Sequence, residues 1–515
     1  MRSYLYNIGL AFNEVVNTYA DRPALKFADG RVVSYRELDH FANQLASVFA
    51  HRGLGRRDVL GIVHTKTVGC FAAMLAALKL GAIYVNLDDQ NPAPRLEHIF
   101  STAEPKFVFA ENIPNSVRDA TLVRGSSVLD LADPKFLSDV SAAPAGEPEQ
   151  CAQVTGSDPA YIMYTSGSTG VPKGAIITHA NVLNFSAWCG ESFAIEPQDV
   201  ITNLNPMYFD NSVFDFYGGL LNGASIAPVT RETLADPALL LEQVELTGCT
   251  TWYSVPSLLI YLTALKLLTP DRLTTIRQFI FGGEVYPEPE LRKLRATFGD
   301  RSKFINVYGP SECTCLCSAW DLSAEDLEYT KGFAIGPIAA NCSALVLMEG
   351  RPVARGEVGE LYVLGPQVGL GYVSDRERTE KAFVTNPLNE RCSERAYRTG
   401  DLVRLGDDGR MLRFVGRVDN QIKHMGYRIE LEEIEAALNR LEGVIQSAVV
   451  QKPDSSGVKI IVAYVASDTS LTKTGLREGL MELLPTYMIP QHFELRQSLP
   501  KNANGKIDRV ALAAE

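Results

Sequence analysis

Between Val59 and Gly309 the chain alternates short apolar runs, closed by turn-forming residues, with helical patterns. The runs VLGIVH (Val59–His64), AIYVNL (Ala82–Leu87), KFVFA (Lys106–Ala110), SIAPV (Ser225–Val229), TTWYSV (Thr250–Val255), QFIFGG (Gln278–Gly283) and KFINVYG (Lys303–Gly309) all read as strands. The stretch from Val68 to Leu80 reads as a helix joining the first two. Strands of this length alternating with helices predict a layered α/β structure. Several runs end in Gly, Pro or Ser, and ligands of open parallel sheets bind at such carboxyl ends.

At 515 residues the chain is too long for one compact core. Ala334 to Phe414 changes character: GELYVLG, YRTGDLVRL and MLRFVG read as antiparallel strands with Gly and Asp turns, a small β-barrel-like part. The residues after Asp419 read as a small α+β unit. Leu431, Ile434, Ala437 and Leu438 mark a helix, SAVVQ and KIIVAYVA alternate as strands, and Leu476 to Leu484 gives a second helix. Two domains are therefore expected, 1–418 and 419–515. Pro144 to Asp158, rich in Pro, Gly, Ala and Glu, reads as a surface linker. No internal repeat is visible.

The net charge of -12 argues against nucleic acid or an anionic membrane surface as the main partner. The best candidate for a membrane span, Phe71 to Val85, is interrupted by Lys79 and Gly81. At the N-terminus Asn7, Asn13 and Glu14 break any signal-peptide core, while Leu5, Ile8, Phe12, Val15 and Tyr19 recur at helical spacing. The nine cysteines are scattered, which suits a reducing cytoplasm. Cys313, Cys315 and Cys317 alternate as on one face of an extended segment, without the partners a zinc site needs.

TSGSTGVPKG (Thr165–Gly174) concentrates chemistry. Gly167 and Gly170 let backbone N–H groups approach an anion, the hydroxyls of Thr165, Ser166, Ser168 and Thr169 add donors, and Lys173 adds a compact positive charge. The plain alternative is a flexible turn. Walker A spacing is absent, because Val171 and Pro172 separate Gly170 from Lys173 and Gly174 follows the lysine. INVYGPSE adds the ring of Tyr308, the hydroxyl of Ser311 and the carboxylate of Glu312, a group suited to a hard cation that also takes phosphate oxygens. Asp401 follows a turn, where a carboxylate can accept both hydroxyls of a ribose. FGGEVYP offers a bare edge for a flat base, and LPKNANGKIDR carries Lys506 between turn formers. Taken singly, Tyr308 reads equally as core, Asp401 as a turn cap and Lys506 as a solvated surface lysine.

Together, in this order, these motifs resemble the adenylate-forming superfamily: acyl-CoA synthetases, luciferases and the amino-acid adenylation domains of nonribosomal peptide synthesis. The resemblance runs from SYRELDHFANQLA (Ser34–Ala46) through LKLGAIYVNLD (Leu78–Asp88) to NGKIDR (Asn504–Arg509). It implies ATP and Mg²⁺ as cofactors. It implies Lys506 as the catalytic lysine, Asp419 as a hinge, and Glu312 as the metal ligand. Thr165 to Lys173 would hold the β and γ phosphates, Asp401 and Arg417 the ribose, and Asn306, Tyr308, Gly282, Gly283 and Glu284 the adenine. After adenylation the small domain would rotate, so that Lys506 leaves and Lys423 to Gly426 forms a path for a pantetheine thiol.

The same resemblance bears on the acid. In amino-acid adenylation domains the aspartate matching Asp210 pairs with the substrate ammonium, and a buried carboxylate is expensive without such a cation. The plain alternative for Asp210 is a helix cap. Matching positions make a pocket of Asp210, Asn211, Phe214, Ser254, Ile280, Gly282, Val307, Cys315 and Leu316, with Lys506. Without a second acid or an extra base there, a small or medium neutral amino acid is expected. The wording also resembles D-alanine:carrier-protein ligases, which carry a cysteine where this chain has Gly282; glycine removes that wall and points to an L or somewhat larger amino acid. Ser311 replaces the more usual threonine and keeps the hydroxyl. The expected acceptor is a separate carrier protein with a phosphopantetheine arm, since no carrier domain follows NGKIDR. The competing enzyme reading is an acyl-CoA or fatty acyl-AMP ligase. The competing class is a scaffold that keeps only the fold.

Overall fold

The computed structural model describes residues 5–167, 171–323, 325–328, 334–454, 459–467, 471–501 and 507–515. Two large sheets carry the strands expected from the α/β pattern. One runs, from edge to edge, Ser318–Asp321, Lys303–Tyr308, Gln278–Gly282, Thr251–Ser254, Val200–Asn203, Ser225–Pro228, Pro23–Lys26 and Val32–Ser34, parallel except at its two outermost pairings. The other runs Gly371–Tyr372, Lys173–Thr178, Pro159–Thr165, Ile83–Leu87, Val59–Val63, Phe107–Ala110 and Ser127–Asp130. Its inner strands are parallel, and Lys173–Thr178 turns back antiparallel on Pro159–Thr165, so the loop between them sits at a strand end.

The helix Val68–Leu80 is buried on every face. Its residues and those of Tyr35–His51 pack in one core with side chains from both sheets. Thr67 caps the N-terminus of the buried helix and Gly81, at φ 70°, ends it. Lys79, which broke the apolar run in the sequence, is wholly buried and met by Asp39 at 2.5 Å, Asn13 at 2.7 Å and Asn43 at 2.8 Å. Pairing of that kind is what makes a buried charge tolerable. Among the described residues no helix is long and apolar enough to cross a membrane.

The antiparallel part is a sheet ordered Ala334–Gly336, Leu412–Arg417, Arg395–Leu405, Val358–Leu364, Ser343–Met348 and Arg351–Pro352, with Phe383–Thr385 beside the long strand. Beyond it lie a hairpin of Gln421–His424 with Tyr427–Glu430, the helix Leu431–Leu438, and a three-stranded sheet of Val444–Pro453, Lys459–Ser467 and His492–Arg496. The residues from Ile429 onward form cores of their own.

Two sequence expectations are corrected. The N-terminal helix spans Ile8–Tyr19, and Leu5 precedes it, because Asn7 caps the helix through Leu10 N. The stretch from Pro144 to Asp158 is not a surface linker. Cys151 and Asp158 are fully buried within it. Asp158 accepts from Arg56 and Arg57, and the Asn7 amide donates to Cys151 O and Val154 O. Composition suggested a linker; long-range polar pairing fastens the segment to the core.

Candidate active site

The cleft opens where Pro159–Thr165, Gln278–Gly282 and Lys303–Tyr308 end. Thr165, Ser166, Asp210, Asn211, Gly283, Gly309, Ser311, Leu316, Asp401 and Arg417 line it on one side. Gln421, Lys423, Gly426 and Arg428 of the hairpin reach in from the other. The hairpin is tied down by Gly426 N donating to Glu284 Oε1 at 2.7 Å, and by Ser166 Oγ donating to Arg428 O at 2.6 Å.

The segment after Tyr308 is not the extended run that its alternating cysteines suggested. Ser311–Cys313 is a short 3₁₀ turn, and Thr314 and Cys315 follow at φ 59° and 73°. Two successive left-handed residues other than glycine are strained and persist only where the surroundings hold them. Here the chain doubles back so closely that a Cβ on Gly309 would lie 2.2 Å from Cys315 O. The fold-back sets Ser311 and Glu312 at the mouth of the strand, and the three cysteines are buried behind them.

Glu312 is fully buried and both its oxygens are engaged. Arg428 approaches at 2.8 Å, Lys173 at 3.2 Å, and the Tyr372 hydroxyl donates at 2.6 Å. Burial alone would raise the Glu312 carboxyl; the two cations and the hydroxyl outweigh it and hold the group far below the usual carboxylate range. Among the described residues no group of three or more His, Cys, Asp or Glu could hold a metal ion. A hard cation at Glu312 would have to take the place of Arg428 or Lys173 on its oxygens and draw its remaining ligands from phosphate oxygens.

Asp401 accepts from the Tyr308 hydroxyl at 2.6 Å through one oxygen and from Arg417 at 2.5 Å through the other. Arg417 also takes Asp419 in a two-pronged pair at 2.6 and 2.7 Å. One guanidinium therefore joins the residue expected at the ribose to the residue expected at the hinge.

Asp210 heads a one-turn helix, Asn211–Val213, that runs into a π-helical turn, Phe214–Gly218. Its side chain makes no capping bond and instead accepts from Ser311 Oγ. Among the described residues no cation closes on it to ion-pair distance. Burial pushes its carboxyl up, and Ser311 and the charge on Lys423 offset part of that. Lys423 is itself pushed down by burial, with Asp401 and Asp210 pulling it back. Asn211 Oδ1 accepts from the Tyr253 hydroxyl at 2.9 Å.

Other expected contacts face away. The Asn306 amide donates to Ala334 O at 2.8 Å and pins the neighbouring strand. Ser254 Oγ is taken up by Trp252 Nε1 and Val255 O. Phe214, Ile280, Val307 and Cys315 are buried behind the cleft wall, and Phe214 packs edge-on against Phe193 and Tyr253. A Cβ on Gly282 would come within 2.4 Å of Val307 O. Glycine there is therefore required by a close strand approach, whatever its effect on the neighbouring pocket. In the phosphate-type loop, Thr165 Oγ1 is buried without a partner among the described residues and Gly167 N donates to Glu433 Oε2 at 3.1 Å. Ser168, Thr169, Gly170 and Lys506 lie outside the described residues.

Sequence reasoning missed Arg428, Glu433, Arg95 and Tyr372. The available signal was Arg428 and Glu433 within GYRIELEEIE, directly after the expected hinge.

An α/β cleft closed by a hairpin from a second core, with a glycine-rich loop on one wall, defines a nucleotide-handling enzyme. The chain belongs to the AMP-binding enzyme family, whose model matches residues 12–373, and the C-terminal domain model of the same family matches 433–506. It is 32% identical to tyrocidine synthase 1 of Brevibacillus parabrevis over 97% of its own length and 44% of that protein's. It is 35% identical to a dimodular nonribosomal peptide synthase of Bacillus subtilis (strain 168), over 94% of this chain and 20% of the relative. The chain thus spans less than half the length of these relatives. Among solved structures it resembles an NRPS protein containing adenylation and PCP domains, bound to a vinylsulfonamide inhibitor. The TM-score is 0.84 at 28% identity, over 98% of this chain and 84% of that one.

Proposed function

We propose that the chain activates a small or medium neutral amino acid with ATP, releasing pyrophosphate, and then passes the aminoacyl group from AMP to the phosphopantetheine thiol of a carrier protein. The observation that carries the amino-acid part is Asp210: a carboxylate set in the cleft wall, raised by burial and left without an ion pair among the described residues. An ammonium supplies the partner that such a group lacks.

The residues divide the work by position. Asp210 orients the ammonium, which leaves the substrate carboxylate facing the nucleotide. Asp401 and Arg417 hold the ribose, and Gly283 gives the base a flat edge. The loop from Thr165 to Lys173 takes the β and γ phosphates through N–H groups, hydroxyls and the lysine. Glu312 would hold Mg²⁺, which when bound would supply positive charge toward the phosphate oxygens. Lys506, assigned from sequence alone, bridges the attacking carboxylate and the α-phosphate. The described arrangement, with Lys423 and Arg428 in the cleft, suits the second step. In this proposal a small domain, 419–515, swings about Asp419 to exchange Lys506 for Lys423 beside the thiol path. The scattered free thiols fit a cytoplasmic enzyme.

The test is ATP–pyrophosphate exchange with a panel of L and D amino acids, fatty acids and other carboxylates. Exchange with a neutral amino acid, abolished in Lys506→Ala while thioester formation from supplied adenylate persists, is the expected result. Exchange only with acids lacking an ammonium would overturn the proposal in favour of an acyl or fatty acyl ligase. A folded chain with no exchange at all would point to a scaffold.

A further inference from the structure

Arg95 lies on the helix Ala93–Ala103, far in sequence from the hairpin, and is 8% exposed. Its Nη1 donates to Glu433 Oε1 at 3.0 Å, while Gly167 N donates to the other oxygen, Oε2, at 3.1 Å. Glu433 is only 2% exposed. One carboxylate thus bridges a guanidinium and a backbone N–H of the glycine-rich loop. A Cβ on Gly167 would lie 1.9 Å from Val171 O, so only glycine can hold that N–H where it is.

A guanidinium and a loop N–H converging on two oxygens of one anion is how proteins hold phosphate. Glu433 comes from the helix directly behind the hairpin. If the hairpin withdraws, Glu433 leaves with it. Arg95 and Gly167 N then lose the carboxylate they share, beside Thr165 Oγ1, which has no partner among the described residues, while Asp88 remains near Arg95. A guanidinium that has lost its carboxylate readily takes another anion, such as a phosphate, in a two-pronged hold. We propose that Arg95 and Gly167 N form a seat for the terminal phosphate oxygens of ATP and for pyrophosphate, and that Glu433 is the built-in anion that takes the seat after pyrophosphate has gone. This rests on the ATP-dependent reading given above. It adds Arg95 to the residues that bind the nucleotide. It also makes Glu433 a positioning residue, which competes with the leaving group and favours the second arrangement once the seat is free.

The test is calorimetric binding of inorganic pyrophosphate, and of a non-hydrolysable ATP analogue, to the full chain and its variants. Arg95→Met is expected to weaken both by about tenfold or more, the scale of one lost charge-assisted hydrogen bond. Arg95→Lys is expected to restore part of the affinity. Glu433→Gln keeps the shape but loses the charge, and is expected to tighten pyrophosphate several-fold because the competing anion is weakened. The double variant Arg95→Met/Glu433→Gln should bind like Arg95→Met alone. If Arg95→Met fails to fold, Glu433→Gln decides: unchanged or weaker pyrophosphate binding overturns the proposal. If wild type binds both ligands and neither substitution shifts them, Arg95–Glu433 is only an interdomain latch and the ATP-dependent reading stands. If wild type binds neither ligand, both fall.

Discussion

Asp210→Asn separates the cost of a functional carboxylate from its use. The carboxyl is raised by burial, so its ionised form is less stable in the fold than in the unfolded chain. For an acid with a raised folded value, the sign is unfavourable: the group opposes folding once pH exceeds the unfolded value, and the penalty disappears as pH falls until both states are protonated. Asparagine has nearly the same shape, can still take the Ser311 hydroxyl, and carries no charge. At neutral pH the variant without substrate should therefore be more stable by about 1 kcal/mol, as when a strained site residue is relaxed. That gain should vanish near the ordinary carboxylate range. Binding should move the other way. Removing one partner of a buried ammonium–carboxylate pair costs about 2–5 kcal/mol, or roughly 30-fold to several-thousand-fold in affinity. The assay is thermal unfolding with and without the activated amino acid, paired with exchange kinetics. The KM for the amino acid should rise steeply while that for ATP stays put, because in the proposed function Asp210 holds the amino acid and not the nucleotide. An amino-acid KM within about threefold of wild type, where roughly 30-fold is the least expected, refutes the pairing. So does a less stable variant free of ligand, because it would mean Asp210 is built in for structure.

Glu312→Gln strands Arg428 and Lys173 on a neutral partner, at a cost of about 3–5 kcal/mol; amide exchange across Gln421–Glu430 should accelerate, and unchanged protection would contradict the role given to Glu312. In wild type the same docking has a lowered acid behind it, so it holds through neutral pH and is lost only as pH drops below the ordinary carboxylate range. Asp419→Pro removes the two-pronged hold of Arg417 and stiffens the backbone; single-turnover thioester formation should slow more than pyrophosphate exchange, and equal slowing would argue against a hinge there. Gly309→Ala forces a Cβ onto the Cys315 carbonyl and the Leu316 Cα; a loss of about 1–3 kcal/mol is expected in denaturant unfolding, and an unmoved midpoint would mean that the fold-back is softer than its geometry.

Local chemistry made much of this legible in advance. Period and turn formers placed seven strands between Val59 and Tyr308, because each is short, apolar and closed by residues that end it, but Ser127–Asp130, Pro159–Thr165, Lys173–Thr178 and Val200–Asn203 were not read from the sequence. The glycine-rich loop stood out by its density of glycines, hydroxyls and a lysine, whereas Asp210 was picked out by the resemblance to amino-acid adenylation domains. The losses have a common cause. CTCLC looked like a strand because alternation is all that a sequence can show of side-chain direction, while φ 59° and 73° at Thr314 and Cys315 depend on Gly309 lying against that same backbone. Pro144 to Asp158 looked like a linker because Asp158's partners, Arg56 and Arg57, are about a hundred residues upstream. Arg428 was passed over because the acid it meets, Glu312, is 116 residues away.

Those distant pairs follow a pattern of charge. Asp210, Glu312 and Asp401 are three acids at one cleft, and each is favoured by positive charge close by. The cleft's own cations, Lys173 and Arg417, serve Glu312 and Asp401 but not Asp210. The hairpin adds Arg428 directly on Glu312 and brings Lys423 toward Asp210 and Asp401. A substrate ammonium on Asp210 and a divalent ion on Glu312 would meet the same needs. Two sets of cations for one set of acids cannot be present at full strength together, so filling the cleft with substrates weakens the hold on the hairpin, and emptying it strengthens that hold. For the domain rotation proposed above, this charge balance would itself couple the movement to occupancy, without a separate trigger.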